Sequence, residues 1–487
     1  MSAFTGPVEM NEPRFMALLE KLIGESRHLQ NSPSQGLIPT EDLAIEHILA
    51  VLHPFLKVNG GVLECERVTF VEGRGNLILK YPGTGTETCA FVGSHMDVVP
   101  ADPTGWDRDP FKLCVEGDML YGRGTTDCLG HVALLTDLMV TLAETKPLMK
   151  RTIVVIFIAN EENGSFPGVG VDQLAKEGYM DQLKNGPVFW IDAADCQPCI
   201  GTAGTAQWSM KAVGKLFHSG LPHKGMNSIE LAMDAIAYIQ KKFYADFPPH
   251  PLEKDYNFAT QSNMKPTQVS CTPGSLNQLP PECTMQGDCR ITPFYEVKAV
   301  MKQIDSYVAE INADPSILHS SAHGPHSKYT LPEEGKQGRI DLKWVGEGEN
   351  GIACKLDSKG YHAILEATKA VLGSVTPYAI GGSLPLIRDL QDQGFDVQIS
   401  GYGISSRSAP LPTAHTLPTL TSFILCYVIL LVPVLLHFCT PILHHSCSPT
   451  ASHLHSHRYH ADNEAASLSN LKDATRIIST VISIMER

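Results

Sequence analysis

The residues of this 487-residue chain that could do chemistry stand directly after short apolar runs. His95 and Asp97 follow the first run, Glu161 and Glu162 follow the second, and Asp192 follows the third. Carboxylates brought close together repel one another and raise one another's pKa, and a divalent cation relieves that conflict. Imidazole and carboxylate groups are ligands that zinc and similar cations accept. These residue types therefore predict a metal site.

A glycine-rich loop supplies one more carboxylate. Asp127 ends the sequence Gly-Arg-Gly-Thr-Thr-Asp, just before a helical pattern over Leu129–Glu144. No Lys-Ser or Lys-Thr pair follows these glycines, so the loop does not match a phosphate-binding loop. With Asp127 the set is large enough for two metal ions about 3.5–4 Å apart, with one bridging carboxylate and a nucleophilic water between them. One of the adjacent Glu161 and Glu162 would then bind metal while the other acts as general base.

Each of these features also has a simpler interpretation. A His-x-Asp pair is common in surface turns, a Glu-Glu pair is common in solvated loops, and Asp127 would suit a helix N-terminus because of the helix dipole. The metal interpretation depends on their conjunction at three strand ends and one glycine-flanked loop. No G-x-S-x-G sequence predicts a serine nucleophile, and Cys128 is interpreted as a packing thiol.

The elements that must position these residues form an α/β pattern. Cys89–Gly93, Thr152–Ala159 and Val188–Ile191 are rich in β-branched and aromatic residues, as strands buried on both faces are. Helical patterns separate them, which predicts a mostly parallel sheet flanked by helices. Side chains that follow such strands meet at the carboxyl edge of the sheet.

The domain prediction divides the chain around an inserted module. Residues 205–356 combine alternating segments with two helical ones, which predicts an α+β unit inside the first domain. The predicted catalytic domain comprises the ranges 1–204, 357–403 and 459–487.

The order of the candidate residues resembles that of the M20 family of di-zinc amidohydrolases and metallopeptidases. A late His460 completes the order, and His218–Asn227 matches the family pattern H-S-x-x-P-H-x-G-x-N. Residues Gly287–Pro293 are similar to the strand that carries the family's substrate-side arginine. Longer stretches such as YGRGTTDCLGH and YHADNE look most like the plant-type acetylornithine deacetylases of this family.

The resemblance implies a role for each matched residue. The implied metal ligands are His95, Asp127, Glu162, Asp192 and His460, with Asp127 bridging the two ions. Glu161 would be the general base, and Asp97 would orient His95. Asp195 is a rival to Asp192, which is preferred because it follows its strand directly. His218 would reach across from a partner subunit's inserted (lid) domain to stabilise the tetrahedral oxyanion. The implied substrate contacts are Asn227, Arg290 and Ser383.

The resemblance also implies a reaction and its partners. The reaction would be hydrolysis of the amide of an N-acyl amino acid, foremost N2-acetylornithine to ornithine and acetate in arginine biosynthesis. Two Zn²⁺ ions, with Co²⁺ as the alternative, would be the cofactors of a homodimer formed through the lid domain. Two other hypotheses stay open: another acyl-amino-acid or dipeptide substrate, and a non-catalytic dimeric protein.

Composition excludes several classes of protein. The chain has 38 Lys and Arg against 52 Asp and Glu, a net charge of −14, which argues against a nucleic-acid binder. Its 13 Cys are scattered without regular spacing, and the single C-x-x-C, at Cys196 and Cys199, has no second such pair to complete a metal site. Neither a disulfide scaffold nor a zinc ribbon is therefore predicted. The N-terminal residues carry no apolar signal region. We expect a cytoplasmic enzyme without a membrane partner, with a plastid as the alternative location.

Residues 404–458 do not fit the rest of the chain. These 55 positions contain seven His and six Pro but no Asp, Glu or Lys, and Phe423–Leu436 is apolar throughout. Three hypotheses are a translated noncoding sequence, a genuine surface insertion and a membrane segment. A single membrane span would put His460 on the opposite side of the bilayer from His95, so it is nearly incompatible with a di-zinc enzyme. An insertion that displaces His460 would disable the enzyme.

Overall fold

A computed structural model describes residues 4–163, 166–192, 195–318, 323–324, 328–384, 386–403 and 460–487. The α-helices in these ranges are α1 (Glu12–Glu25), α2 (Asp42–Leu52), α3 (Leu129–Thr145), α4 (Val171–Lys176), α5 (Ser228–Asp246), α6 (Glu253–Tyr256), α7 (Val297–Ala313), α8 (Lys359–Leu372), α9 (Ile387–Asp392) and α10 (Leu468–Met485). The strands are β1 (Glu64–Thr69), β2 (Gly75–Tyr81), β3 (Thr88–Val92), β4 (Cys114–Glu116), β5 (Met119–Tyr121), β6 (Thr152–Phe157), β7 (Pro187–Ile191), β8 (Cys199–Thr202), β9 (Gly204–Val213), β10 (Phe217–His218), β11 (Asn263–Cys271), β12 (Gln278–Leu279), β13 (Glu282–Ile291), β14 (Thr330–Leu331), β15 (Lys336–Gln337), β16 (Arg339–Glu349), β17 (Ile352–Ala353), β18 (Tyr378–Ile380), β19 (Asp396–Ser400) and β20 (Ala465–Ser467).

A large sheet forms the centre of the molecule. Its strand order is β1-β2-β6-β3-β7-β19-β8-β17, and β18 pairs with β8. Strand β3 runs parallel to β6 and β7, and β7 runs parallel to β19. Strands β1 and β2 add an antiparallel edge. The predicted α/β fold with a mostly parallel central sheet is confirmed.

The central strands are apolar because both faces of the sheet are covered. Every residue of β3 and β7 is buried, and so are all but the first of β6. On one face the sheet packs against α1, α3 and α10 in one hydrophobic core, and on the other against α4 and α9 in a second core. Helix α3, which starts two residues after Asp127, is buried on nearly all sides. The loop that carries Asp127 is therefore attached to a firmly packed element.

A second sheet, ordered β11-β13-β9-β16, lies in the predicted lid module. Helices α5 and α7 pack on it and enclose a separate hydrophobic core. The boundary differs from the predicted range 205–356, because β17 pairs with β8 of the central sheet. The chain therefore rejoins the central sheet before residue 357.

The segment 404–458, with its three hypotheses, lies outside the described residues. After it, β20 pairs with β5 in a small sheet, and α10 packs against α3 and α8. None of the helices in the described ranges is long and apolar enough to cross a membrane.

Candidate metal centre and active site

His95 stands at the centre of the first group of candidate ligands. It lies just past the end of β3 and is fully buried. Its Nε2 atom is 2.8 Å from Asp127 Oδ1 and 3.5 Å from Asp192 Oδ1. Glu161, which follows β6, places Oε2 3.8 Å from the same nitrogen. The three strand ends and the glycine-rich loop thus meet as predicted from their positions in the sequence.

His460 forms a second group that shares Asp127 with the first. The His460 Nε2 atom lies 3.0 Å from Glu162 Oε2 and 3.2 Å from Asp127 Oδ2. Asp127 therefore turns one carboxylate oxygen toward each histidine, which is the arrangement that a bridging ligand needs. Within the set His95, Asp127 and Asp192, and within the set Asp127, Glu162 and His460, the potential ligand atoms lie within 4.8 Å of one another.

The local structure fits metal binding at both groups. His95 Nδ1 lies 2.8 Å from the main-chain carbonyl oxygen of Asp97, to which it can donate. In a neutral imidazole that hydrogen bond leaves the Nε2 lone pair facing the carboxylates. Glu162 Oε1 is buried and has no hydrogen-bond partner among the described residues. A buried carboxylate oxygen without a partner is costly, and a cation would supply the missing interaction.

The close packing of the carboxylates shifts the pKa values of the site residues in the metal-free protein. Burial and the charge of Asp127 raise the pKa of Glu162 to about 7. Burial and the charge of Asp192 raise the pKa of Glu161 well above its usual value. Burial alone would lower the pKa of His460, but its hydrogen bonds with Asp127 and Glu162 raise it to about 11. Without metal the cluster would hold protons where cations would otherwise provide positive charge.

Asp97 has a broader contact pattern than its sequence position predicts. Its carboxylate lies 3.6 Å from His95 Nδ1, farther than its own main-chain oxygen. The carboxylate instead accepts hydrogen bonds from the main-chain N–H groups of Glu161 (3.0 Å) and Glu162 (3.1 Å) and from Asn31 Nδ2 (2.8 Å). The predicted orientation of His95 is thus provided mainly by the backbone of Asp97. The side chain of Asp97 instead binds the main chain of Glu161 and Glu162.

Glu464 is a site residue that the sequence analysis missed. It is fully buried, and its Oε1 accepts from the main-chain N–H groups of Gly124, Thr126 and Asp127. Its Oε2 lies 2.5 Å from an Arg123 side-chain nitrogen. The only sequence signals were an arginine within the glycine-rich loop and a glutamate four residues after His460.

A cavity of about 390 Å³ opens onto both groups. Its lining consists of Asp127, Glu161, Glu162, Asp192, Arg290, Ile380, Gly382, Ser383, Leu384 and His460. Two of the predicted substrate contacts, Arg290 and Ser383, are therefore at the site. The Arg290 guanidinium also forms an ion pair with Asp288, at 2.6 Å.

Comparison with known proteins places the chain in a family. Residues 91–391 match the model of peptidase family M20/M25/M40. The chain belongs to this family. It is 53% identical to an acetylornithine deacetylase of Arabidopsis thaliana over 81% of this chain and 89% of that one. It is 46% identical to an acetylornithine deacetylase of Dictyostelium discoideum over 98% of both chains. The fold is similar to that of human carnosine dipeptidase 1, with a TM-score of 0.61, 15% identity and coverage of 98% and 96%.

Two other predicted residues of this M20 family member lie away from the cavity. His218 is exposed on β10, where its Nδ1 accepts from the Gly220 N–H. Asn227 caps the N-terminus of α5, where its side-chain oxygen accepts from the Ile229 N–H. Neither residue is among those that line the cavity in the single chain, so the role of His218 across a dimer and the role of Asn227 as a substrate contact stay predictions.

The positions of Asp195 and Cys128 in the fold bear on the remaining alternatives. Asp195 forms an isolated β-bridge with Tyr402 and belongs to neither ligand group of the described residues. Cys128 places Sγ in the first group, but that sulfur also lies 3.2 Å from His131 Nδ1. His131 Nε2 accepts from the Tyr402 N–H, so Nδ1–H of the neutral ring can donate to the sulfur. Burial raises the pKa of the Cys128 thiol, which agrees with a packing thiol.

Proposed function

We propose that the chain hydrolyses the amide of N2-acetylornithine to acetate and ornithine, a step of arginine biosynthesis. The two relatives at 46–53% identity are acetylornithine deacetylases, and the alignment with the D. discoideum enzyme covers nearly the whole chain. The observation that carries the proposal is the position of Asp127 between the two ligand groups, with Glu161 beside them. This arrangement suits hydrolysis by a water held between two metal ions.

The residues that would hold the ions are those of the two groups. His95 and Asp192 would bind one ion, Glu162 and His460 the other, and Asp127 both. We propose Zn²⁺, with Co²⁺ as the alternative, because imidazole and carboxylate ligands suit both. Once bound, such a pair lowers the pKa of a shared water and polarises the substrate carbonyl.

Glu161 would serve as the general base. It would accept a proton from the attacking water as the new C–O bond forms at the acetyl carbon. It would then deliver that proton to the leaving nitrogen as the C–N bond breaks, giving acetate and a free amine. The hydrogen bond from its N–H to Asp97 fixes its position.

The cavity suits a small substrate with a carboxylate. Its volume of about 390 Å³ is near the lower end of ligand pockets, which span roughly 300–1,000 Å³. Arg290 offers a guanidinium at the cavity wall for the substrate carboxylate. Ser383 offers a hydroxyl on the same wall. We assign both to substrate binding.

The active unit in this proposal is a homodimer formed through the lid module. His218 of the partner subunit would stabilise the tetrahedral oxyanion, since its own chain leaves it exposed and away from the cavity. Asn227, which caps the helix that follows this loop, stays a predicted substrate contact. A cytoplasmic location, with a plastid as the alternative, stays a prediction.

The test compares the full chain with a version that lacks residues 404–458. Acetate release from N2-acetylornithine is measured with added zinc or cobalt. Equal activity of both proteins would support the site including His460, and activity of the shorter protein alone would mean that the extra segment disables this chain. If neither protein cleaves N2-acetylornithine, the substrate assignment is wrong, and a panel of other acyl-amino acids and dipeptides identifies the alternative.

A further inference from the structure

The segment that carries His460 is tied to the loop that carries Asp127 by a buried ion pair. Glu464 and Arg123 lie 2.5 Å apart, and their side chains are 0% and 2% exposed. The carboxylate of Glu464 also accepts three main-chain N–H groups from the Gly124–Asp127 loop, at 2.9–3.2 Å. A single side chain thus orients the loop of the bridging ligand from a position four residues after the last ligand.

Arg123 extends the connection toward His460. A second nitrogen of its guanidinium lies 3.3 Å from the carbonyl oxygen of Ala461, the residue directly after His460. The Gly122 N–H donates to the carbonyl oxygen of Glu464, at 3.1 Å. The turn between the two anchor points is thereby fixed by contacts at both of its ends.

The backbone of this turn would not hold its shape alone. His460 and Asn463 have φ values of 64° and 58°, in the left-handed region that side-chain-bearing residues rarely adopt. Such conformations persist where the surrounding contacts determine them. The Asn463 side chain contributes one such contact, since its oxygen accepts from the Asp107 N–H at 2.9 Å.

We propose that Arg123 and Glu464 are positioning residues that set the His460 imidazole against Asp127 and Glu162, whatever length of chain precedes His460. The inference rests on the proposed two-metal site and goes beyond it, because neither residue is a ligand or touches the reacting atoms. Of the residues that the pair holds, His460 would bind one ion only, whereas Asp127 would bind both. Losing the pair should therefore affect the two ions unequally.

The experiment measures metal binding in the full chain and in Glu464→Gln. Gln keeps one carbonyl oxygen for the loop N–H groups but leaves the Arg123 charge without its carboxylate partner. We expect the unchanged chain to bind two zinc ions and the variant to bind one with normal affinity, while affinity for the other falls about 10- to 100-fold, as is usual when a partner of a ligand is lost. With N2-acetylornithine, kcat should fall at limiting zinc and recover at high zinc, with KM unchanged.

Two further variants separate positioning from general stability. Arg123→Lys keeps the charge but shortens the reach to Ala461, and it decides the question by the same readout if Glu464→Gln does not fold. Asp137→Asn breaks another ion pair with a buried carboxylate, the one with Arg14 at 2.6 Å. This control should lower the unfolding temperature and still bind both ions with normal affinity.

The outcomes are distinct. Normal affinity for both ions in Glu464→Gln and Arg123→Lys, or equal weakening of both ions, would overturn the inference. The loss should also be larger in the full chain than in the version without 404–458, where a short connection from Gly403 helps to place His460. If the affinity falls equally in the full chain and in the shortened version, the pair supports only the Asp127 loop, and the inference that it positions His460 is wrong. An unchanged chain that binds fewer than two ions would overturn the proposed metal site itself.

Discussion

Replacing Asp97 by Asn tests whether its carboxylate holds the segment that carries the proposed base and one proposed ligand. The side chain is fully buried. Its Oδ1 accepts from the Glu161 N–H, and its Oδ2 accepts from the Glu162 N–H and from Asn31 Nδ2. Asn has nearly the same shape as Asp and differs by an NH₂ group in place of one carboxylate oxygen. The substitution therefore changes hydrogen bonding with almost no change of shape.

The magnitude follows from the count of acceptors. An amide has one acceptor oxygen, and two of the three donors are served when that oxygen takes the Oδ2 position. The Glu161 N–H then faces an NH₂ group, and a buried donor without a partner costs about 1–3 kcal/mol. The other two hydrogen bonds fall from the strength of charged ones to that of neutral ones, by about 1 kcal/mol each. The expected loss is about 3–5 kcal/mol.

Urea denaturation of the metal-free protein measures this loss, and steady-state kinetics measure its effect on the site. We expect kcat to fall about 10- to 100-fold, because the residues released are the base and a metal ligand. Asn31→Ala is the matched control, since it removes one donor and leaves both main-chain hydrogen bonds. It should cost about 1–2 kcal/mol. Equal destabilisation by Asp97→Asn and Asn31→Ala would refute the assignment of the carboxylate to the glutamate segment.

Four further substitutions separate the roles within the site. Glu161→Gln should lower kcat about 10²- to 10⁴-fold while metal analysis finds both ions, and a decrease of less than tenfold would contradict its role as base. Asp192→Ala and His460→Ala should each reduce the bound metal to about one ion. Asp192→Ala should lose the ion beside His95, and His460→Ala should lose the ion beside Glu162. Cys128→Ala should keep both ions and cost about 1 kcal/mol in urea denaturation. Loss of metal in that variant would instead make the thiol a ligand.

The elements that could be predicted are those in which the pattern of apolar residues along the sequence matches the pattern of burial. Strands β3, β6 and β7 are buried on both faces, so their continuous apolar runs identify them. Strand β1 has no such signal, because its sequence ECERVT is mostly charged or exposed. It is a strand because it pairs along its whole length with β2, and that pairing is a tertiary fact which a local pattern does not contain.

The site shows the same division between local pattern and tertiary contact. Ligands at strand ends are predictable because parallel strands bring their carboxyl ends to one edge. The Asp97 carboxylate accepts hydrogen bonds from the N–H groups of Glu161 and Glu162, a contact that depends on the shape of a distant turn. The His-x-Asp spacing alone predicted His95 as its partner. The Arg123–Glu464 pair joins residues 341 positions apart. Each of these two residues, taken separately, reads as an ordinary charged loop residue.

The contacts on either side of residues 404–459 explain how the proposed two-metal site can accommodate a long segment before one of its ligands. On one side, Gly403 lies close to the loop that carries Asp127, since a Cβ at Gly403 would be 2.8 Å from Thr126 Cγ2. The carbonyl oxygen of Gly403 also accepts from Asn470 Nδ2. On the other side, Glu464 is fixed to the same loop. Because other contacts bring both ends together, added length costs only closure entropy. That cost is about 0.6 kcal/mol per doubling, or about 2–3 kcal/mol from a loop of a few residues.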